Sequence, residues 1–217
     1  MSATAVQLKY DVLRTLRNRR MLAFAIGLPL VLFYAIAGSQ RHARTDGIPF
    51  PLYFMTGMAV YGALFAVTSP AGRIAIDRAR GWTRQLRITP LSVRTYYVCK
   101  VVTAYLIALP TIVLLFIAGA TLGVHLSAGQ WLETTGLLIV GLVPFVIMGV
   151  IIGHLVEVDA LAPAVGDTVD LFSLFGGVYG QFFHSGVMLS IVKLLPSFWL
   201  VQAGKASLLH RAWPIEG

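Results

Sequence analysis

Apolar runs of membrane-crossing length alternate with short polar stretches from residue 21 to residue 180. About 20 apolar residues in a helix cross the hydrocarbon core of a bilayer. Runs at 21–40, 50–72, 97–122, 132–156 and 160–180 meet that length. The pattern predicts an all-α fold: a polytopic transmembrane helix bundle with five spans. Pro29, Pro70, Pro110 and Pro144 lie inside these runs, where neighbouring helices can satisfy the carbonyls that a proline frees. A kink is expected at Pro110.

The pattern changes at both ends. Before the first run, Val6, Tyr10, Leu13 and Leu16 recur at helical spacing, while Lys9, Arg14 and Arg17 lie off that stripe. Residues 1–20 therefore predict an amphipathic helix lying in the membrane interface. After residue 180, two apolar segments, 186–195 and 198–209, are each too short to span; Pro196 separates them and Lys193 interrupts the first. Residues 181–217 predict an external re-entrant hairpin. The whole chain, 1–217, reads as one transmembrane domain.

Composition and charge sharpen this reading. Of 217 residues, 57% are hydrophobic and only 12% charged, against about 25% charged in a soluble domain. One cysteine, Cys99, leaves no disulfide framework within the chain and no zinc-ribbon spacing. The net charge of +8 raises the question of nucleic-acid binding, but its distribution answers it. Lys9, Arg14, Arg17, Arg19 and Arg20 form one cluster; Arg73, Arg78, Arg80, Arg84, Arg87, Arg94 and Lys100 form another. Apolar runs separate them, as the positive-inside rule requires of cytoplasmic segments. The expected location is the cell membrane, multi-pass, with a cytoplasmic N-terminus and no nucleic-acid partner.

All of the second cluster but Lys100 falls in residues 73–96, a basic island between the second and third runs. Gly81 interrupts one helix, and Thr89-Pro90 has the form of another helix start, with Thr89 as N-cap and Pro90 at the first helical position. Between them Arg84 and Arg87 share a helix face, and Trp82 and Leu86 are four apart, placed to enter a groove on a partner. An ordinary positive-inside loop remains the alternative.

Asp167 and Asp170 lie well inside the apolar run at 160–180. Ionisable groups within a span face a cavity or a partner. The two share a helix face and are candidates for a pathway that takes a cationic substrate. A shifted boundary is the alternative: 171–192 is also uncharged, which would make Asp170 an N-cap at the membrane surface. Asp-x-x-Asp can also hold magnesium, as a metal-dependent intramembrane transferase would need. No histidine pair has ligand spacing on one helix face.

The island resembles the signature of the type-2 permeases of ATP-binding-cassette exporters, the group of daunorubicin-resistance and polysaccharide-export permeases. Their pattern, Glu-Arg-Glu-x-Gly-Thr, then Leu, then Thr-Pro, is matched by Asp77, Arg78, Gly81, Leu86, Thr89 and Pro90. Ala79 replaces the second acid and Trp82 the threonine. Phe175-Gly176-Gly177-Val178-Tyr179 is similar to the family's Leu-Ser-Gly-x-Phe at the end of the fifth span, and Leu195-Pro196 with Phe198 to its external helices. Family members end in a sixth span, which is missing from this sequence: it stops at Trp213–Gly217, where that span would begin, as expected either of a truncated sequence or of a five-span variant.

The resemblance implies a permease subunit of an ATP-driven export pump, moving drugs, lipids or glycans. It would pair with a second permease subunit, as homodimer or heterodimer, on two ATP-binding subunits. The segment from Asp77 and Arg78 through Gly81, Trp82, Arg84, Leu86 and Arg87 to Thr89 and Pro90 would contact that motor. The chain has no G-x-x-x-x-G-K-[ST] loop, so it is not expected to be an enzyme; ATP and magnesium would belong to the partner. A gradient-driven secondary transporter is the rival outside this family.

Overall fold

The computed structural model describes residues 3–45, 48–81, 92–179 and 187–209. Four helices in it are long and apolar enough to cross a membrane: Arg19–Ala37, Phe50–Ala79, Val93–Thr121 and Ala128–Leu155. The chain is a helical membrane protein. Among the described residues the helices are, in order, α1 (Ala3–Leu16), α2 (Arg19–Ala37), α3 (Phe50–Gly72), α4 (Ile74–Ala79), α5 (Val93–Thr121), α6 (Ala128–Gly141), α7 (Val143–Leu155), α8 (Leu161–Gly176), α9 (Val187–Val192) and α10 (Pro196–Leu209). A two-residue antiparallel ribbon, β1 (Arg44–Thr45) with β2 (Ile48–Pro49), closes the polar loop before α3.

The prolines act differently in each span. Pro29 cannot donate to the carbonyl four residues back, and α2 widens into π-type turns on either side of it, at Ala23–Gly27 and Phe33–Ala37. Widened turns absorb such a lost bond. Pro110 lies within α5, which runs unbroken for 29 residues. Pro144 opens α7, and the fourth span divides there into α6 and α7 at Leu142.

The span expected at 160–180 is shorter. Helix α8 has 16 residues, about 24 Å at helical rise, less than the roughly 30 Å apolar core. Its end has a local cause. Gly177 adopts a left-handed conformation (φ 77°), the Val178 amide bonds to the Ser173 carbonyl at 3.0 Å, and the Gly177 amide bonds to that of Leu174 at 3.2 Å. This is a Schellman stop, which needs a residue tolerant of positive φ. So of the five expected spans, four are helices of spanning length among the described residues and the fifth is a shorter helix. The segment expected as a hairpin contains the short helix α9 and then α10, which begins at Pro196 and packs on α3, α6 and α8.

Helix α3 is the central strut. In its most apolar stretch 89% of residues are buried, against 28% for α2, 50% for α5 and 39% for the α6–α7 pair. Small residues let α7 approach it closely: a Cβ on Gly149 would lie 2.5 Å from the Thr68 carbonyl oxygen, and one on Gly153 2.8 Å from that of Gly72. This is small-xxx-small packing.

Candidate functional site

The basic end of the bundle holds a buried ionic cluster. Lys100 Nζ lies 3.0 Å from Asp11 Oδ1 and 2.8 Å from Asp77 Oδ2. Arg14 Nη1 donates to Asp77 Oδ1 at 2.9 Å, and the Tyr96 hydroxyl donates to Asp77 Oδ2 at 2.8 Å. Lys100 also stands 5.1 Å from the Tyr96 ring centre, and Arg73 donates to the Arg14 carbonyl. Two acids and two bases balance. The cluster ties α1, α4 and α5 into one unit.

Helix α1 explains why this works. Asp11, Arg14 and Thr15 share its inner face, and Asp11 and Thr15 are buried. Val6, Tyr10, Leu13 and Leu16 are exposed on the other. The helix packs its polar side against the bundle and turns its apolar stripe outward, as an interfacial helix does.

Of the island residues, Asp77, Arg78 and Gly81 are described; Trp82, Arg84, Leu86, Arg87, Thr89 and Pro90 lie outside the described residues. Asp77 faces inward, into the cluster. Arg78 Nη1 also turns to the bundle, donating to the Gly153 carbonyl at 3.2 Å and to that of His154. A cation there suits the carbonyl-rich C-terminus of α7. Gly81 closes the turn after α4 at φ 71°. The third-span helix starts later than expected: Ser92, not Thr89, caps α5, its Oγ accepting the Thr95 amide at 3.1 Å. The two residues of the island's entry therefore act as anchors.

Beside this anchor is an open groove of about 1000 Å³ between α4, the start of α5 and the α7–α8 turn. Its walls include Arg78, Tyr97, His154, Glu157 and Asp159. His154 Nδ1 lies 2.8 Å from the Val150 carbonyl, and its Nε2 lies 2.9 Å from the Tyr97 hydroxyl. A carbonyl only accepts, so a neutral His154 carries its proton on Nδ1 and accepts from Tyr97.

The other candidate pair lies deeper. Asp170 is the tenth residue of α8, which rules out the N-cap alternative. The Tyr61 hydroxyl donates to its Oδ1 at 3.1 Å. Tyr61 is the middle residue of the 23-residue α3, so the tyrosine that holds Asp170 is rooted about 16 Å from either end of that helix by helical rise. Tyr179 completes the group, its ring centre 6.3 Å from that of Tyr61. Asp167 lies one turn nearer the basic end, exposed on the same face as Asp170.

Sequence reasoning missed Asp11, Tyr96 and Lys100 in the cluster, and Tyr61 and Tyr179 beside Asp170. One signal was present: Asp11 stands among cations on a helix whose apolar face lies elsewhere.

No protein-family model matches the chain, and no solved structure matches it. Over 191 residues it is 24% identical to YvfS of Bacillus subtilis (strain 168), an inferred transport permease, covering 87% of this chain and 78% of that protein.

Proposed function

We propose that this chain is the membrane-spanning subunit of an ATP-driven export pump, acting with a separate ATP-binding subunit and a second permease subunit. The observation that carries the reading is the anchoring of the basic island. Asp77 and Arg78 hold its start to α1, α5 and α7 through buried or partly buried bonds. A push on residues 82–91 would therefore move α1, α4 and α5 as one body, which is how rigid elements transmit a partner's motion. The likeness to a transport permease supports the same reading.

In this reading the N-terminus is cytoplasmic, α1 lies in the inner interface, and Trp82, Arg84, Leu86 and Arg87 meet the motor, with Thr89 and Pro90 completing that segment. The α9–α10 pair lies at the external side. Asp167 and Asp170 line the substrate path. ATP and magnesium are bound by the partner. The rival transferase lacks support in the ligand set: among the described residues no three His, Cys, Asp or Glu side chains gather as a metal site.

Co-expression with an ATP-binding subunit, affinity purification and an ATPase assay test the proposal. A stable ATP-hydrolysing complex is expected, weakened by Arg84→Glu/Arg87→Glu while the bundle stays folded. A folded chain that associates with no such subunit, yet moves substrate on an ion gradient, would overturn it in favour of a secondary transporter.

A further inference from the structure

The Tyr61–Asp170–Tyr179 group deepens the pump reading, on which it rests, by naming a class of substrate. Three observations converge. First, the carboxylate is at the middle of the apolar bundle, beside the central residue of α3. Second, among the described residues no ion pair includes Asp170; its contact there is a phenol. A charged side chain at that depth requires a partner. Third, the group is open on one side: Asp170 is exposed, and Tyr179 is 37% exposed while Tyr61 is 4% exposed.

The parts have separate tasks. Tyr61, buried in α3, holds one carboxylate oxygen and orients the group. Tyr179 is set by the stop that ends α8: Gly177 turns the chain, and Val178 lies so close to α3 that a Cβ on Gly57 would meet its carbonyl oxygen at 2.3 Å. Gly57 and Tyr61 are one turn apart, so this contact brings Tyr179 beside Tyr61. The two rings are too close to sandwich a ligand. They present an aromatic corner, with the carboxylate at its edge and its open side away from α3.

We propose that this corner binds the positive centre of an organic cation, with Asp170 supplying the opposite charge and the Tyr179 ring a cation–π face. A strongly hydrated metal ion does not suit it, because one carboxylate and two rings cannot replace a hydration shell. A cation with apolar substituents does.

The test uses the full chain in lipid nanodiscs without any ATP-binding subunit. The probes are tetraphenylphosphonium, its anionic counterpart tetraphenylborate, and neutral triphenylphosphine oxide. The wild type is expected to bind the cation about tenfold or more tighter than either control. Asp170→Asn should remove that preference. Tyr179→Leu should weaken cation binding about threefold or more, and Tyr179→Phe should retain it, since the ring face is kept. Asp167→Asn should change it less than Asp170→Asn.

Equal binding of cation and controls by the wild type, or an unchanged preference in Asp170→Asn, overturns the proposal. If Asp170→Asn fails to fold, the Tyr179→Leu and Tyr179→Phe pair decides, and equal loss in both overturns it. Because the motor is absent, a chain that binds the cation but never associates with an ATP-binding subunit would refute the pump and leave the site standing.

Discussion

Asp77 and Asp170 are both carboxylates inside an apolar bundle, but their surroundings are opposite. Asp77 is 6% exposed and bonded to Lys100, Arg14 and Tyr96. Asp170 is open on one side and bonded to Tyr61. A buried charge with its partners in place holds a structure together, and removing one partner strands the others. A carboxylate without a cation is an incomplete pair, and completing it is work that a ligand can do. The bundle thus joins an internally closed electrostatic clamp at its basic end to an open one at its middle.

The sharpest way to break the comparison is to open the closed clamp. Lys100→Met leaves Asp11 and Asp77 facing each other without the ammonium between them. Loss of one member of a buried pair costs about 3–5 kcal/mol. A large fall in the thermal unfolding midpoint in detergent is expected. The double variant Asp11→Asn/Lys100→Met should recover most of that fall, because Asp77 then keeps Arg14 as its counter-charge and the remaining pair is balanced. An unfolding midpoint unchanged by Lys100→Met would mean that water, rather than protein, balances the cluster.

The outline of the fold was legible, since apolar length is a local property. The run at 50–72 and helix α3 coincide, and Pro144 marks the break between α6 and α7. The fifth run is longer than its helix because the sequence stays apolar after the helix has stopped: Gly177 ends α8 by conformation, and hydropathy does not register it. The clamp was illegible for a different reason. Asp11, Asp77 and Lys100 come from three distant parts of the chain, and counting charges for the positive-inside rule treated Arg14 and Lys100 as free cations. In the fold both are neutralised. The depth of Asp170 was likewise undecided while two overlapping apolar windows competed; its bond to Tyr61 decides it.

A smaller effect comes from the element that shapes the open site. Gly57→Ala places a methyl 2.3 Å from the Val178 carbonyl oxygen as the helices now stand, and both sides of that contact are backbone. Overpacking of this kind costs about 1–3 kcal/mol. The Val178 turn should shift away from α3, carrying Tyr179 with it. Gly177→Ala strains the same turn from within, since its φ of 77° disfavours a side chain, at about 1–2 kcal/mol. Both variants should lower thermal stability moderately and weaken tetraphenylphosphonium binding beyond what the stability loss explains. Full binding in a stably folded Gly57→Ala would separate Tyr179 from the site.

The smallest stability effect is expected where the functional effect is largest. Asp170→Asn keeps a carbonyl oxygen able to accept the Tyr61 hydroxyl, and it removes a charge that has no cation among the described residues. Among the described residues no partner is stranded by the change. Its thermal midpoint should stay within a few degrees of wild type, corresponding to about 0.5 kcal/mol, while export of cations falls and export of neutral compounds persists. Asp77→Asn is the matched control: the same substitution on a closed clamp leaves Lys100 and Arg14 with a weakened partner and should destabilise the bundle clearly. If the two variants lost stability equally, Asp170 would be a structural residue of the same kind as Asp77, and the contrast between the closed and open carboxylates would collapse.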